Sequence, residues 1–179
     1  MDTPKTTKYL TLIQTYVIDP LDRTTLSQSC FATVLMLCGC IDGFGKLIHP
    51  DEKARSGERF KYFLERLGPR YKESENELWE LRNDLAHNAL NVAAYLSHVH
   101  STSIAHLKKS SCGQYLLLNT QCLLNDFKQA FNTLRDELSE NPELAARAEN
   151  RLVEGEILHT DFEEWETTSP GSIKFVKSK

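Results

Sequence analysis

Apolar residues recur at three- and four-residue intervals over most of the first 155 positions, the repeat of amphipathic helices. Tyr9, Leu10, Leu12, Ile13, Tyr16 and Val17 predict a first helix, stopped by Asp19-Pro20. A second, more buried helix is predicted from about Thr25 through Leu26, Cys30, Phe31, Val34, Leu35, Cys38 and Ile41, ending near Gly43 and Gly45. Phe60, Phe63, Leu64 and Leu67 define a third, closed by Gly68-Pro69. A fourth spans Glu73 to about Leu96, with Leu78, Leu81, Leu85 and Val92 on one side. Beyond Tyr95 the pattern changes. Residues 101 to 107 and 114 to 118 flank Lys108-Lys-Ser-Ser-Cys-Gly113, which predicts a β-hairpin insertion. Asn119 or Thr120 caps a fifth helix carrying Leu123, Leu124, Phe127, Phe131, Leu134 and Leu138. Asn141-Pro142 starts a sixth, with Leu144, Ala148 and Leu152, ending at Gly155.

The expected fold is therefore mainly α: a helical bundle of four core helices plus one or two C-terminal helices, with a small β-hairpin insertion. Residues 1 to 155 form the helical domain. Residues 156 to 179, with Asp161-Phe-Glu-Glu-Trp-Glu166, lack a sustained period and read as a loosely ordered acidic tail. Phe162 and Trp165 are its candidate anchors for a protein partner.

Composition adds exclusions. The chain of 179 residues is 40% hydrophobic and 26% charged, ordinary for one globular domain. Without a basic-then-apolar leader or an uninterrupted apolar run of membrane length, it is expected to be cytoplasmic and to have no membrane partner. Five cysteines without framework spacing argue against a disulfide scaffold, and Cys30, Cys38 and Cys40 read as small hydrophobes. No metal or cofactor is predicted; His98-x-His100 with His106 lacks a completing ligand and reads as a polar loop. The net charge of −4 excludes a protein that coats nucleic acid in bulk, and no DNA partner is predicted. Residues 46 to 72 are nevertheless rich in cations. Arg59, Arg66, Arg70 and Lys72 are the candidate RNA-binding residues there, against the alternative of a solvated helix face.

One placement is not explained by packing alone. On a regular helix Arg82 falls inside the apolar sector set by Leu78, Leu81 and Leu85, while Asn83 and His87 share the next face. Arg82-Asn-Asp-Leu-Ala-His87 resembles the Arg-(Asn/Asp)-x-x-x-His signature of the HEPN superfamily. These are small helical bundles, many of them metal-independent endoribonucleases. The resemblance covers roughly residues 6 to 155 as architecture and 82 to 87 as chemistry. Catalytic members combine motifs from two HEPN units, which implies a homodimer here. In HEPN toxins paired with a nucleotidyltransferase antitoxin, a tyrosine follows the histidine two positions later; this chain has Ala89, so that pairing is not predicted.

The chemistry agrees with the resemblance. Metal-free RNA cleavage by the 2′-hydroxyl needs a base, an acid for the leaving oxygen and positive charge at the phosphate. His87 suits the acid or base role, Arg82 the phosphate clamp, and Asn83 a support for either; Asp84 projects away. The expectation is a dimeric endoribonuclease acting on RNA, of the kind used as a toxin or antiviral effector. Two alternatives stand beside it: a non-catalytic HEPN-like module binding a protein partner or antitoxin, and a module that holds a nucleotide phosphate without cutting. In the structural alternative, Arg82 pairs with a buried carboxylate from another helix and fixes the packing.

Overall fold

The computed structural model describes residues 4–23, 30–87, 94–98, 100–152, 165–169 and 172–175. Helix α1 (Lys5–Ile13) continues through a wide π turn (Gln14–Ile18) into α2 (Asp19–Arg23). Asp19-Pro20 thus fails to stop the first helix. The Asp19 N–H bonds back to Gln14 O, five residues away, and this widened turn precedes Pro20, whose ring crowds a regular helix. Helix α3 (Cys30–Ile48) follows, then α4 (Ser56–Leu64) with a tight last turn to Leu67, α5 (Pro69–Glu73) and α6 (Glu75–His87). Gly68, at φ 128, closes the α4 segment where the sequence placed a stop. The long α7 (Thr120–Glu140) and α8 (Pro142–Arg151) complete the helical part. Both predicted caps form: Asn119 Oδ1 accepts from Cys122 N at 2.9 Å, and Asn141 Oδ1 from Leu144 N at 3.0 Å.

Helix α3 runs to Ile48, three to five residues past its predicted end near Gly43 and Gly45. Gly43 and Gly45 lie inside it, as packing glycines and not as terminators. A Cβ on Gly45 would stand 2.1 Å from the Arg59 carbonyl oxygen, so glycine is what lets the α4 backbone lie against α3. By length and composition α3 could cross a membrane (mean hydropathy 1.6), but 56% of that stretch is buried inside the protein. It is the central helix of the core. Phe44, in its C-terminal third, meets Phe63 of α4 at 5.1 Å, Phe127 and Phe131 of α7 at 6.0 and 5.7 Å, and Tyr9 edge-to-face at 5.8 Å. Leu78, Leu81 and Leu85 are buried as the helical repeat required.

Helix α8 closes the ends of other helices. Pro4 gives α1 no side-chain cap; instead Glu149 accepts from Lys5 N (2.8 Å), Thr6 N (2.9 Å) and the Thr6 hydroxyl (2.7 Å). Burial raises the Glu149 carboxyl, but these bonds outweigh it and hold it below the usual range. Arg151 donates to the Lys46, Leu47 and His49 carbonyls at the end of α3, and Arg147 to that of Ile48.

The predicted hairpin forms, but its first strand is shorter than expected and a third strand joins it. Strands β1 (Ala94–Ser97), β2 (Lys108–Lys109) and β3 (Leu116–Asn119) form a sheet in the order β1-β3-β2, with β1 parallel and β2 antiparallel to β3. The fourth helix therefore does not reach Leu96, since residues 94 to 97 pair with β3; residues 88 to 93 lie outside the described residues. Residues 101 to 105, expected as strand, belong to a 3-10 segment (His100–Ala105). Side-chain bonds tie this segment to β1 and β3: Thr102 donates to Ser97 Oγ (3.2 Å), and Asn119 Nδ2 donates to Thr102 Oγ1 (2.7 Å). In the tail, β4 (Trp165–Ser169) pairs antiparallel with β5 (Ser172–Phe175), so those stretches are strands where loose order was expected. Phe162 and the predicted end at Gly155 lie outside the described residues.

His106 joins the sheet to the helices. Its Nδ1 accepts the Asn119 N–H (3.0 Å), which leaves the proton on Nε2, facing Tyr71 Oη at 3.0 Å; Tyr71 in turn donates to Asp126 at 2.6 Å. This bonding fixes a neutral imidazole. Burial, with the nearby Arg70 charge, lowers His106 to about 4, against an opposing pull from Asp126. A histidine lowered on folding contributes stability that is whole above its unfolded value and lost as pH falls toward the folded one. Urea titrations should therefore show roughly 1.5 kcal/mol lost between about pH 6.5 and 5 that a His106→Gln protein does not lose. Equal slopes in the two proteins would mean that His106 is not held neutral.

Candidate functional site

The motif residues occupy the last two turns of α6, and their neighbours come from α3 and α4. Arg82 Nη2 donates to Asp42 Oδ2 of α3 at 2.6 Å, and Nη1 to Asn83 Oδ1 at 3.1 Å. Ser56, the first residue of α4, donates its hydroxyl to Asp42 Oδ1 at 3.1 Å. The guanidinium carbon lies 5.3 Å from the centre of the Trp79 ring, which leans on Phe60 and faces Gly57. Three helices thus meet on one cation. The side chains of Arg82 and Asp42 remain 24% and 20% exposed, so the cluster is open to solvent at one edge.

Asn83 supports Arg82, as one of the two roles expected for it. Asp42 and Ser56 were not singled out from the sequence, although a lone carboxylate in the apolar α3 was the available signal. The inner side of the cluster reaches the core. Burial pushes the Cys38 thiol up to about 12, with Arg82 pulling the other way, and Cys40 is also raised to about 12 by burial. Both behave as the small hydrophobes that the sequence suggested.

His87 stands at the end of α6, exposed, with no hydrogen bond among the described residues. Five residues along a helix turn the direction by about 140° and advance roughly 7.5 Å. Arg82 and His87 of one chain therefore diverge and do not converge on one bound group.

Three of the four cationic candidates lie elsewhere and have partners. Arg66 pairs with Glu137 (2.6 Å) and packs on Tyr62; Arg70 pairs with Asp126 and packs on Tyr71; Lys72 pairs with Glu65 at 3.1 Å. Burial alone would lower Arg70, but Asp126 outweighs it and raises it. From Ser56, beside Asp42, to Arg66 is ten residues, roughly 15 Å along the helix. The structure does not bring these three cations into the Arg82 cluster. Arg59 is partly buried, and its Nε has no hydrogen-bond partner among the described residues.

Of the other histidines, His98 contacts Cys30, and His106 is held in the network already described. No group of three or more metal-ligating side chains occurs among the described residues. A groove of about 800 Å³ between α1, α7 and α8, lined by Leu10, Phe131 and Leu138, contains none of the motif residues. No protein-family model, curated protein or solved structure matches the chain.

Proposed function

We propose that this chain is a metal-independent endoribonuclease of HEPN type, working as a symmetric homodimer on single-stranded RNA. The observation that carries the reading is the pairing of a braced Arg82 with an exposed His87 that points away from it. A guanidinium held by Asp42, Asn83 and Trp79 is set in direction before any phosphate arrives, which is how positive charge is made useful at a transition state. The exposed His87 imidazole is open to an approaching substrate. Because the two diverge on one helix, a complete site takes Arg82 and His87 from two chains about a two-fold axis, and this also supplies both an acid and a base. Such an activity fits a toxin or antiviral effector.

The second reading is a non-catalytic, HEPN-like interaction module. It is favoured by the same ion pair: Asp42 already occupies the fork of Arg82, as a clasp between helices would require. A protein partner or an antitoxin would then be the ligand.

The test is cleavage of mixed single-stranded RNAs in EDTA, with end-group analysis and light scattering at micromolar protein. Expected are a dimer and products ending in 2′,3′-cyclic phosphate. A monomer, or intact RNA throughout, would hand the case to the interaction module.

A further inference from the structure

Five thiols are spread over this chain, and their surroundings differ. Cys38 and Cys40 are buried within α3, out of reach of solutes. Cys122 is half-buried on α7 and raised by burial. Cys112 is exposed in the β2–β3 turn, where Ser110 lies 3.2 Å away and hydrogen bonding lowers it. Cys30 alone among the described thiols has an imidazole beside it.

Its Sγ lies 3.4 Å from Nδ1 of His98, just after β1, and the buried Thr120 hydroxyl donates to the same sulfur at 3.9 Å. The two neighbours do different things. Thr120 fills one acceptor position on sulfur. With the His98 proton on Nε2, Nδ1 stands where it can accept the S–H proton. A thiol with a proton acceptor on one side and a donor on the other is the arrangement that makes cysteine nucleophilic. Cys30 is half-buried and His98 is exposed, so a small solute can reach the pair.

We propose that Cys30 and His98 form a thiol–imidazole pair that exchanges with small disulfides, making Cys30 a site of reversible S-thiolation. In the step, the Cys30 proton passes to His98 Nδ1 and the sulfur attacks one sulfur of the disulfide. The Cys30 S–S bond forms, the original S–S bond breaks, and the departing thiolate takes the proton back from His98. The small disulfide is the oxidant: Cys30 is oxidised as the leaving sulfur is reduced. The proposal is independent of the ribonuclease reading, since it uses no residue of the Arg82 cluster.

The test follows modification by the aromatic disulfide DTNB, assigning each cysteine by peptide mass mapping, in the intact chain and in guanidinium. Native Cys30 should react faster than the same cysteine in the unfolded chain, although folding half-buries it. His98→Ala should slow native Cys30 by ~10²-fold, the low side of what a positioned proton acceptor contributes, and leave Cys112 unchanged. His98 is exposed, so thermal melting should not move; His98→Gln, which keeps the size but not the base, should match His98→Ala. Native Cys30 slower than its unfolded reference, or rates unchanged in both variants, would overturn the proposal.

Discussion

Gly45→Ala should destabilise the bundle by about 3 kcal/mol or more, against a usual range of about 1–3 for an overpacked site. The new methyl would meet the Arg59 carbonyl at 2.1 Å and its carbon at 2.6 Å. Both are backbone atoms of α4, so no rotamer change relieves the contact; the two helices must separate. Separation opens the ring cluster around Phe44, because Phe63 sits on the same α4. Alanine's better helix propensity returns only about 1 kcal/mol. Gly39 supplies the control. It lies in the same helix, exposed, with no atom within 4 Å of an added Cβ. Gly39→Ala should be neutral or stabilising by up to ~1 kcal/mol. If denaturant titration finds the two substitutions alike, the α3–α4 contact is not as close as described.

His87→Ala should cut RNA cleavage by ~10²–10⁴-fold while leaving the melting temperature in place. The expected loss is that of a proton donor or acceptor at the reacting oxygen. Stability should hold because His87 is exposed at the end of α6 and has no hydrogen bond among the described residues. Arg82→Ala is a different experiment. It strips the partner from Asp42, whose carboxylate is only 20% exposed, and removes a cation packed on Trp79. Loss of stability and loss of activity then arrive together. Asp42→Asn separates them: it keeps the shape, weakens the hold on Arg82 and leaves His87 untouched. Cleavage that survives His87→Ala undiminished would remove the catalytic role. A protein that never cleaves, yet melts lower with Asp42→Asn and Arg82→Ala, would leave the cluster as an interhelical clasp.

Much of the helical architecture was legible because side-chain periodicity and capping residues act locally. Asn119 and Asn141-Pro142 marked two helix starts, and Gly68-Pro69 a stop, through bonds and backbone angles confined to a few residues. The errors fell where a distant partner overrode a local preference. Gly45 looks like a terminator until α4 is laid against it. Residues 94 to 97 look helical until Leu116–Asn119 offers a strand to pair with. The motif was legible as a pattern, and so was the oddity of Arg82 on an apolar face. Its counter-ion was not, since Asp42 lies forty residues away.

By itself, then, the sequence determined where most of the helices lie, which faces of them are apolar, and that an arginine, an asparagine and a histidine share one helix. These follow from interactions within one or two turns. The tertiary structure decided what those residues face. It set Asp42 on Arg82, gave Glu149 the task of capping α1, and placed Arg151 over the end of α3. It also brought His98 to Cys30 and committed Arg66 and Arg70 to carboxylates of α7. Each of these contacts joins groups tens of residues apart or more. No local repeat encodes such a pairing; the contacts exist only once the apolar faces have packed and fixed the distances between helices.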